Sequence, residues 1–454
     1  MRPPALVQPV RGFGVVSWFV LSGLACGEVT ATPDAANVSA DAGGQVEADP
    51  VSVDARIACD EGFTGPPTCA DCTVYVSDED GSNSQPGRSW DDAVETVTAG
   101  INRAVARVEA EELDHCAVWV REGTYVPGQH RQDSFELAPG VHLYGGFAGF
   151  EDARDERNFR QYETILSGDL EGNDDPNDEA TFEDNAYHVV VGADDATLDG
   201  FTVTAGHADS DDQEDGAGIY LEDASPTLRN LVFTHNLASG GGGAIASLGD
   251  SAPILKNVKF KTNEALHGGA LYAIDSSEPI VINAIFLDND AGFGGGAMMS
   301  GSSSAPSLIN VSLHDNEAGL NGGAIRNVGA AGTTIVNGIL WGNEDGDGDE
   351  IYHNSDVALE VRASVVEGDV NDIDGDGTLV TEGIIDQDPR FVSAPDDLRL
   401  QSSSPAIDAG DGSIVDEIRV DFPDYDLAGE PRFVDGEDGG EGFIDIGAYE
   451  FQPE

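Results

Sequence analysis

One unit is written five times between Pro226 and Asn343: PTLRNLVFTHN, PILKNVKFKTN, PIVINAIFLDN, PSLINVSLHDN and TTIVNGILWGN. Its last asparagine recurs at Asn236, Asn263, Asn289, Asn316 and Asn343, at spacings of 27, 26, 27 and 27 residues. An inner asparagine keeps the same period at Asn230, Asn257, Asn283, Asn310 and Asn337. Between the units runs a second landmark, GGGGAIA, HGGALYA, GGGAMMS and NGGAIRN. A fixed period in this range means stacked supersecondary units.

The residues within the unit select the kind of stack. They are β-rich, with no run of helical periodicity. Leu228, Leu231 and Phe233 are expected inside, and Arg229, Val232 and Thr234 outside. That alternation has period two except at Asn230, where it slips by one, which marks a bend. Asparagine tolerates the left-handed conformation that such a bend needs. Equivalent residues stack coil over coil, so the amides can bond along the axis. The glycine pairs before each alanine supply another tight corner. The pattern predicts a parallel β-helix with coils roughly 4.8 Å apart. One coil cannot bury its own apolar face, so stability comes from its neighbours.

The charge is extreme, with 85 acidic against 21 basic residues and a net −64. Nucleic acid and anionic membrane surfaces are excluded as partners on that balance. Polyanionic glycans are disfavoured unless cations bridge. The first 26 residues read as an export signal: Arg2 and Arg11, then an apolar run from Phe13 to Ala25. Gly23-Leu24-Ala25-Cys26 is similar to a bacterial lipoprotein lipobox with its leucine displaced by one, so Cys26 is the expected lipidation site. Ordinary signal cleavage is the alternative. Residues 27–57, poor in large apolar side chains, read as a disordered acidic linker.

A Cys-rich segment, 58–72, carries Cys59, Cys69 and Cys72; beyond Cys26 the one further cysteine is Cys116. Three clustered thiols without a nearby histidine do not make a zinc site. Four cysteines in an exported chain suggest two disulfides out of three connectivities. Cys59–Cys69 with Cys72–Cys116 is the expected pairing. From Ser89 the sequence SWDDAVETVTAGINRAVARVEAEEL predicts a helix, capped by Ser89 with Asp92 in the capping position. Ala93, Val97, Ile101, Ala104 and Val108 form its apolar stripe. Such a helix would cover the open end of the first coil. The regular coils span 196–352, and the pattern decays after Asn343.

GTYVPG, HLYGGFAGFEDARDERNF, TILSGDLEGN and ATLDGFTVTAGHA resemble segments of exported proteins of the pectin-lyase-like superfamily. The repeats FTHN…GGAI, FKTN…GGAL and FLDN…GGAM resemble those of polymorphic outer membrane proteins. DQDPRFVSAPDDLRLQSSSPAIDAG, then FIDIGAYEF, resemble the choice-of-anchor Q domain, over about 353–451. The resemblance implies an all-β fold, a right-handed parallel β-helix solenoid over 73–454, capped at its N-terminus by the helix. It implies a protein of the cell surface or outer membrane, or a secreted one. Such relatives often carry C-terminal anchors. Here the sequence ends shortly after Glu450, which makes the Cys26 lipid the expected attachment. It does not imply a reaction, because fold does not fix function.

The superfamily includes glycan-cleaving enzymes, which makes the basic and acidic residues of the coils candidates for chemistry. A lyase needs a base of tuned pKa beside a cation. The coils offer Arg229, Lys256, Lys259, Lys261 and Arg326, with the three lysines on one coil at outward positions. A solvated face that relieves acidic repulsion is the simpler account. A hydrolase needs two facing carboxylates, and Asp288, Asp290 and Asp315 are the available acids. His235 and His314 occupy corresponding repeat positions and read as surface residues. No catalytic residue is assigned. Asp372, Asp374 and Asp376, with Glu382 near the twelfth position, match the spacing of a calcium loop, so calcium is the expected cofactor, set against an ordinary acidic turn. The expected protein is a noncatalytic monomer presenting a rigid solenoid to a polysaccharide or another surface protein. A polysaccharide lyase or glycoside hydrolase is the alternative.

Overall fold

The computed structural model describes residues 72–175, 179–346, 349–368, 373–418, 420–434 and 443–453. The export signal, the acidic linker, Cys26, Cys59, Cys69 and Asp372 lie outside them. Each coil of the repeat gives one long bent strand and two short ones. The bent strands Thr227–Thr234, Ile254–Lys261, Ile280–Leu287 and Ser307–His314 belong to a 16-stranded sheet, here called the long sheet. The short strands fall into a five-stranded and a nine-stranded sheet. Coils pair in parallel and in register: Leu228, Leu255, Val281 and Leu308 lie side by side, as do Phe233, Phe260, Phe286 and Leu313. The protein is a parallel β-helix.

The two asparagine columns do different work. The inner asparagines occupy the left-handed region, with φ of 53° at Asn230 and 57° at Asn257. That one residue turns the strand, so Leu228 and Leu231 both face the core at 0% and 1% exposure. The next corner is also left-handed, at His235, Thr262, Asp288 and Asp315. Each is followed by an asparagine of the other column, which points inward. Asn236 donates its amide to Asn263 (3.0 Å), Asn263 to Asn289 (3.0 Å), Asn289 to Asn316 (2.8 Å) and Asn316 to Asn343 (2.6 Å). Asn343 closes the ladder on the buried carboxylate of Glu350. Each amide also donates to a core carbonyl, such as Phe260 O from Asn289. Beside this column the rings of Phe233, Phe260 and Phe286 stack at 5.2 and 4.5 Å. A buried phenylalanine contributes about 1.5–3 kcal/mol, and here the next coil provides the cover.

The capping helix starts later than the sequence pattern predicts. Ser89 caps only a 3-10 turn, Trp90–Asp92, with its backbone N–H held by Asp92. Val94 is then drawn into extended pairing with the first strand, Thr73–Val76, through Ser77 N to Val94 O and Val94 N to Tyr75 O. Helix α1 spans Val97–Glu111, and Thr96 accepts from Ala99 N as its cap. It buries Val97, Gly100, Ile101 and Ala104 against the open end, with Gly100 directly over Val76 and Val118. A Cys72–Cys116 disulfide, with Cα atoms 4.8 Å apart, ties the start of the described chain to the second strand.

Coils continue to the strand Leu379–Glu382. Residues 386–418, 420–434 and 443–453 then leave the coil and run back along the outside of the long sheet as a strap. The bent strands make that face a valley with the inner asparagines on its floor. On one wall Ile414, Val415, Ile418, Val420 and Phe422 cover Ile282, Ile309 and Val336. On the other, Phe391, Leu398, Leu400, Leu427 and Ile446 cover Ile285, Ile339 and Val365. The SPAIDAG and DIGAYEF segments meet here: Ile446 N bonds Ala406 O, Gly410 N bonds Ile444 O, and Asp408 N bonds the Asp445 carboxylate. Asn310 donates to Asp445 O, and Asn337 accepts from Asp411 N. Arg432, wholly buried, donates to Asn283 Oδ1 (2.6 Å), Gly447 O and Ala448 O, and lies 3.6 Å from Glu450. Its guanidinium interrupts the floor column between Asn283 and Asn310.

Candidate cation-lined gap in the valley

The valley is filled at both ends. Over the first coils lie Trp119, Tyr144 and Phe147, with Trp90 and Tyr75 packed on them. The loop 149–163 follows. Its Phe159 presses on Gly146 and its Arg157 on Gly200, where an added Cβ would come within 2.7 Å of the guanidinium. From Asn283 onward the strap takes over. Between these plugs two coils, Thr227–Thr234 and Ile254–Lys261, are covered only in part: Arg229 lies beside Tyr144 of the first plug, and Lys256 reaches Asp421 of the strap.

Those two coils carry Arg229, Lys256, Lys259 and Lys261, with Arg229 paired beside Lys256, and Val232 beside Lys259. The chain has just three lysines, and all of them stand on this one strand. Two more cations come from the loop. Arg157 bonds Asp199 at 2.7 Å, while Arg229 bonds the other oxygen of the same carboxylate at 2.8 Å and Asn230 donates to it. Asp199 is buried. Burial alone would raise its carboxyl; the two guanidiniums outweigh that and hold it below the usual carboxylate range. Arg160 reaches across to Leu427 O of the strap (3.3 Å) and lies against Gly429, so loop and strap meet over the gap. On the strap side the Lys256 ammonium donates to Asp421 O at 2.7 Å.

The lysines are consequently unlike solvated ones. Burial lowers the Lys259 pKa, and the neighbouring Arg160 lowers it further. Burial also lowers that of Lys256; Asp421 opposes and Arg229 adds to the shift. Among the described residues the Lys259 ammonium has no hydrogen-bond or ion-pair partner. Lys261 is exposed. The arrangement holds more positive than negative charge in a half-enclosed space, which is what an anionic group requires.

The other candidate residues are placed elsewhere. His235, Asp288 and Asp315 form left-handed corners, positions where His and Asp are favoured for conformational reasons. Asp290 is exposed on the five-stranded sheet. His314 is buried with Nδ1 against Trp341 O. Arg326 lies on the nine-stranded sheet, away from the gap. Asp374 and Asp376 are exposed beside that sheet, whereas Glu382 is on the long sheet opposite Arg362. Among the described residues no group of three or more acid, histidine or cysteine side chains is arranged to hold a metal ion. Among them, too, no helix is long and apolar enough to cross a membrane. A cleft of about 390 Å³ lined by Gln129, His130, Arg131, Glu171 and Asp184 has its one arginine already bonded to Asp209 and to main-chain carbonyls.

Sequence reasoning missed Arg157, Arg160 and Asp199. The available signal was the restriction of all lysine to a single repeat of an acidic chain.

The fold and the gap together define a parallel β-helix with a cationic site on one flank. No family model matches the chain, and no curated protein matches it. Among solved structures, the A-module of the mannuronan C-5 epimerase AlgE4 of Azotobacter vinelandii is similar at 13% identity with a TM-score of 0.28. The match covers 64% of this chain and 92% of that module. A likeness at that level carries no argument about chemistry.

Proposed function

We propose that this is an exported β-helix protein, held at the cell surface by a lipid on Cys26, that binds an acidic glycan without transforming it. The observation that carries the binding is the convergence of Lys256 and Lys259 with Arg157, Arg160 and Arg229 in the stretch of the valley between loop and strap. A net charge of −64 repels polyanions from the surface as a whole. The gap reverses that sign locally, and a uronate carboxylate is the glycan group that pairs with lysine and arginine. A rigid solenoid suits the task because Arg229, Lys256 and Lys259 stand on paired strands and need no ordering on binding.

The noncatalytic reading follows from the carboxylates. Hydrolysis needs two acids free to act, and the buried acid of the gap, Asp199, is committed to two arginines. A lyase is the second reading, favoured by one observation: Lys259 is half-buried, unpartnered and lowered in pKa, as a base would be. Affinity electrophoresis of the full chain in gels containing polygalacturonate, polymannuronate or dextran tests the main reading. Retardation in an acidic gel but not in dextran, weakened by added salt and lost in the Lys256→Ala, Lys259→Ala double variant, is expected. Equal mobility in all gels would overturn it. Release of unsaturated ends, abolished by Lys259→Ala, would replace it with the lyase.

A further inference from the structure

A second flank carries a different surface. The outward positions of the nine-stranded sheet run Tyr220, Ala246, Tyr272, Met299, Arg326 and Tyr352, one per coil and in register. Tyr272 and Arg326 lie close to the main chain where glycines leave room. A Cβ on Gly241 would fall 2.3 Å from the Tyr272 ring, and one on Gly294 would meet Arg326 at 2.4 Å. Arg326 in turn covers Phe293 (5.1 Å) and Tyr352 (5.8 Å). His267 approaches Phe293 edge-on and lies nearly parallel to Tyr272. Along the border, Leu266 and Leu320 are 45% and 50% exposed. The stripe is an aromatic and apolar island on an acidic molecule, of the kind that marks a contact surface.

We infer that this stripe is a stacking track for a neutral glycan chain running along the helix axis. Two features select that occupant. First, the rings of Tyr220, Tyr272 and Tyr352 stand along one line parallel to the axis, two and three coils apart, which at the coil spacing is roughly 10 and 14 Å. A polymer of sugar rings uses such a line; a folded partner has no need of it. Second, the rim is acidic. Glu214, Asp215, Glu222 and Asp275 border Tyr220 and Tyr272, while burial, then Arg326, lowers the His267 pKa and favours its neutral form. Carboxylates accept hydrogen bonds from sugar hydroxyls and repel an anionic chain. Tyrosine supplies an apolar body with a polar end for the same interface. The inference does not depend on the acidic-glycan reading of the valley.

The test is affinity electrophoresis of the full chain in gels containing mannan, β-glucan or xylan. The expected result is retardation in at least one gel. Tyr352→Ala and Tyr272→Ala should weaken it about tenfold or more, a loss of about 1.4 kcal/mol. Tyr272→Phe keeps the ring over Gly241 and should bind as the parent does. Lys259→Ala should also retain it, which separates this site from the valley. Melting temperatures identify any variant that fails to fold, and Tyr352→Ala leaves the Gly241 packing intact. Absence of retardation in every neutral gel would overturn the proposal, as would retardation unchanged by both alanine variants. Concentration-dependent self-association lost in Tyr352→Ala, without glycan retardation, would assign the stripe to a protein contact and refute it.

Discussion

Asn289→Ala removes one rung from the buried ladder, and the structure says what each neighbour loses. Asn263 N–H donates to Asn289 Oδ1 at 3.1 Å in a site closed to water, so the truncation orphans it. Three further bonds go: from Asn263 Nδ2, to Phe260 O and to Asn316 Oδ1. Their partners keep other bonds, so these count as ordinary losses of about 0.5–1.5 kcal/mol each, while the orphaned N–H adds about 1–3 kcal/mol. The expected cost is about 4 kcal/mol, in the range reserved for broken buried networks. Asn257→Ala provides the contrast. Its amide is half-buried and water can replace it, so the cost is chiefly left-handed strain, about 1–2 kcal/mol, and Asn257→Gly should recover most of it. Guanidinium denaturation of the parent and the three variants measures this. A cost below about 1 kcal/mol at Asn289, or equal costs at Asn289 and Asn257, would refute the division of labour between the two columns.

Three other outcomes are expected. Arg432→Met leaves Asn283 Oδ1, Gly447 O and Ala448 O without their donor beside Glu450; a loss of about 3–5 kcal/mol, with early proteolytic release of the strap, is expected, and unchanged protease resistance would contradict it. Burial raises Glu450 to about 8, with the Asp445 charge adding to the shift and Arg432 opposing it, and burial raises Asp445 to about 6. Both folded values exceed the unfolded ones, so the native state holds these protons more tightly: stability from this pair is full below about pH 4 and declines as pH rises to about 8. Glu450→Gln should flatten that slope in melts from pH 4 to 9. Gly295→Ala must adopt a φ of 72° and place a Cβ 2.2 Å from Met298 O, so a loss of at least about 2 kcal/mol in denaturation is expected.

Much of the fold is legible because the repeat is a local statement made five times. The slip in alternation at Asn230 locates the bend, and the dyads His235-Asn236, Asp288-Asn289 and Asp315-Asn316 are a left-handed corner followed by a ladder rung. The helix start is misread at Ser89 because a local cap is present there. What it cannot reveal is that Val94 is taken by the first strand, leaving Thr96 to cap the helix. The strap has no repeat and no periodicity of its own; its order comes from a valley that exists only after the coils have stacked. The site is half legible. Lys256 and Lys259 are visible as outward residues of one coil. Arg157 and Arg160 come from a loop about a hundred residues earlier, and their approach depends on Gly146 and Gly200 admitting that loop.

The central claim is that an anionic group occupies the gap between loop and strap. Because Lys256, Lys259 and Lys261 are the only lysines, lysine acylation read by peptide mass spectrometry reports on that site directly. The protein labelled with and without a uronate oligosaccharide should show Lys256 and Lys259 protected by the ligand while Lys261, exposed at the strand end, labels as before. Labelling of Lys256 and Lys259 unchanged at saturating oligosaccharide would contradict the claim.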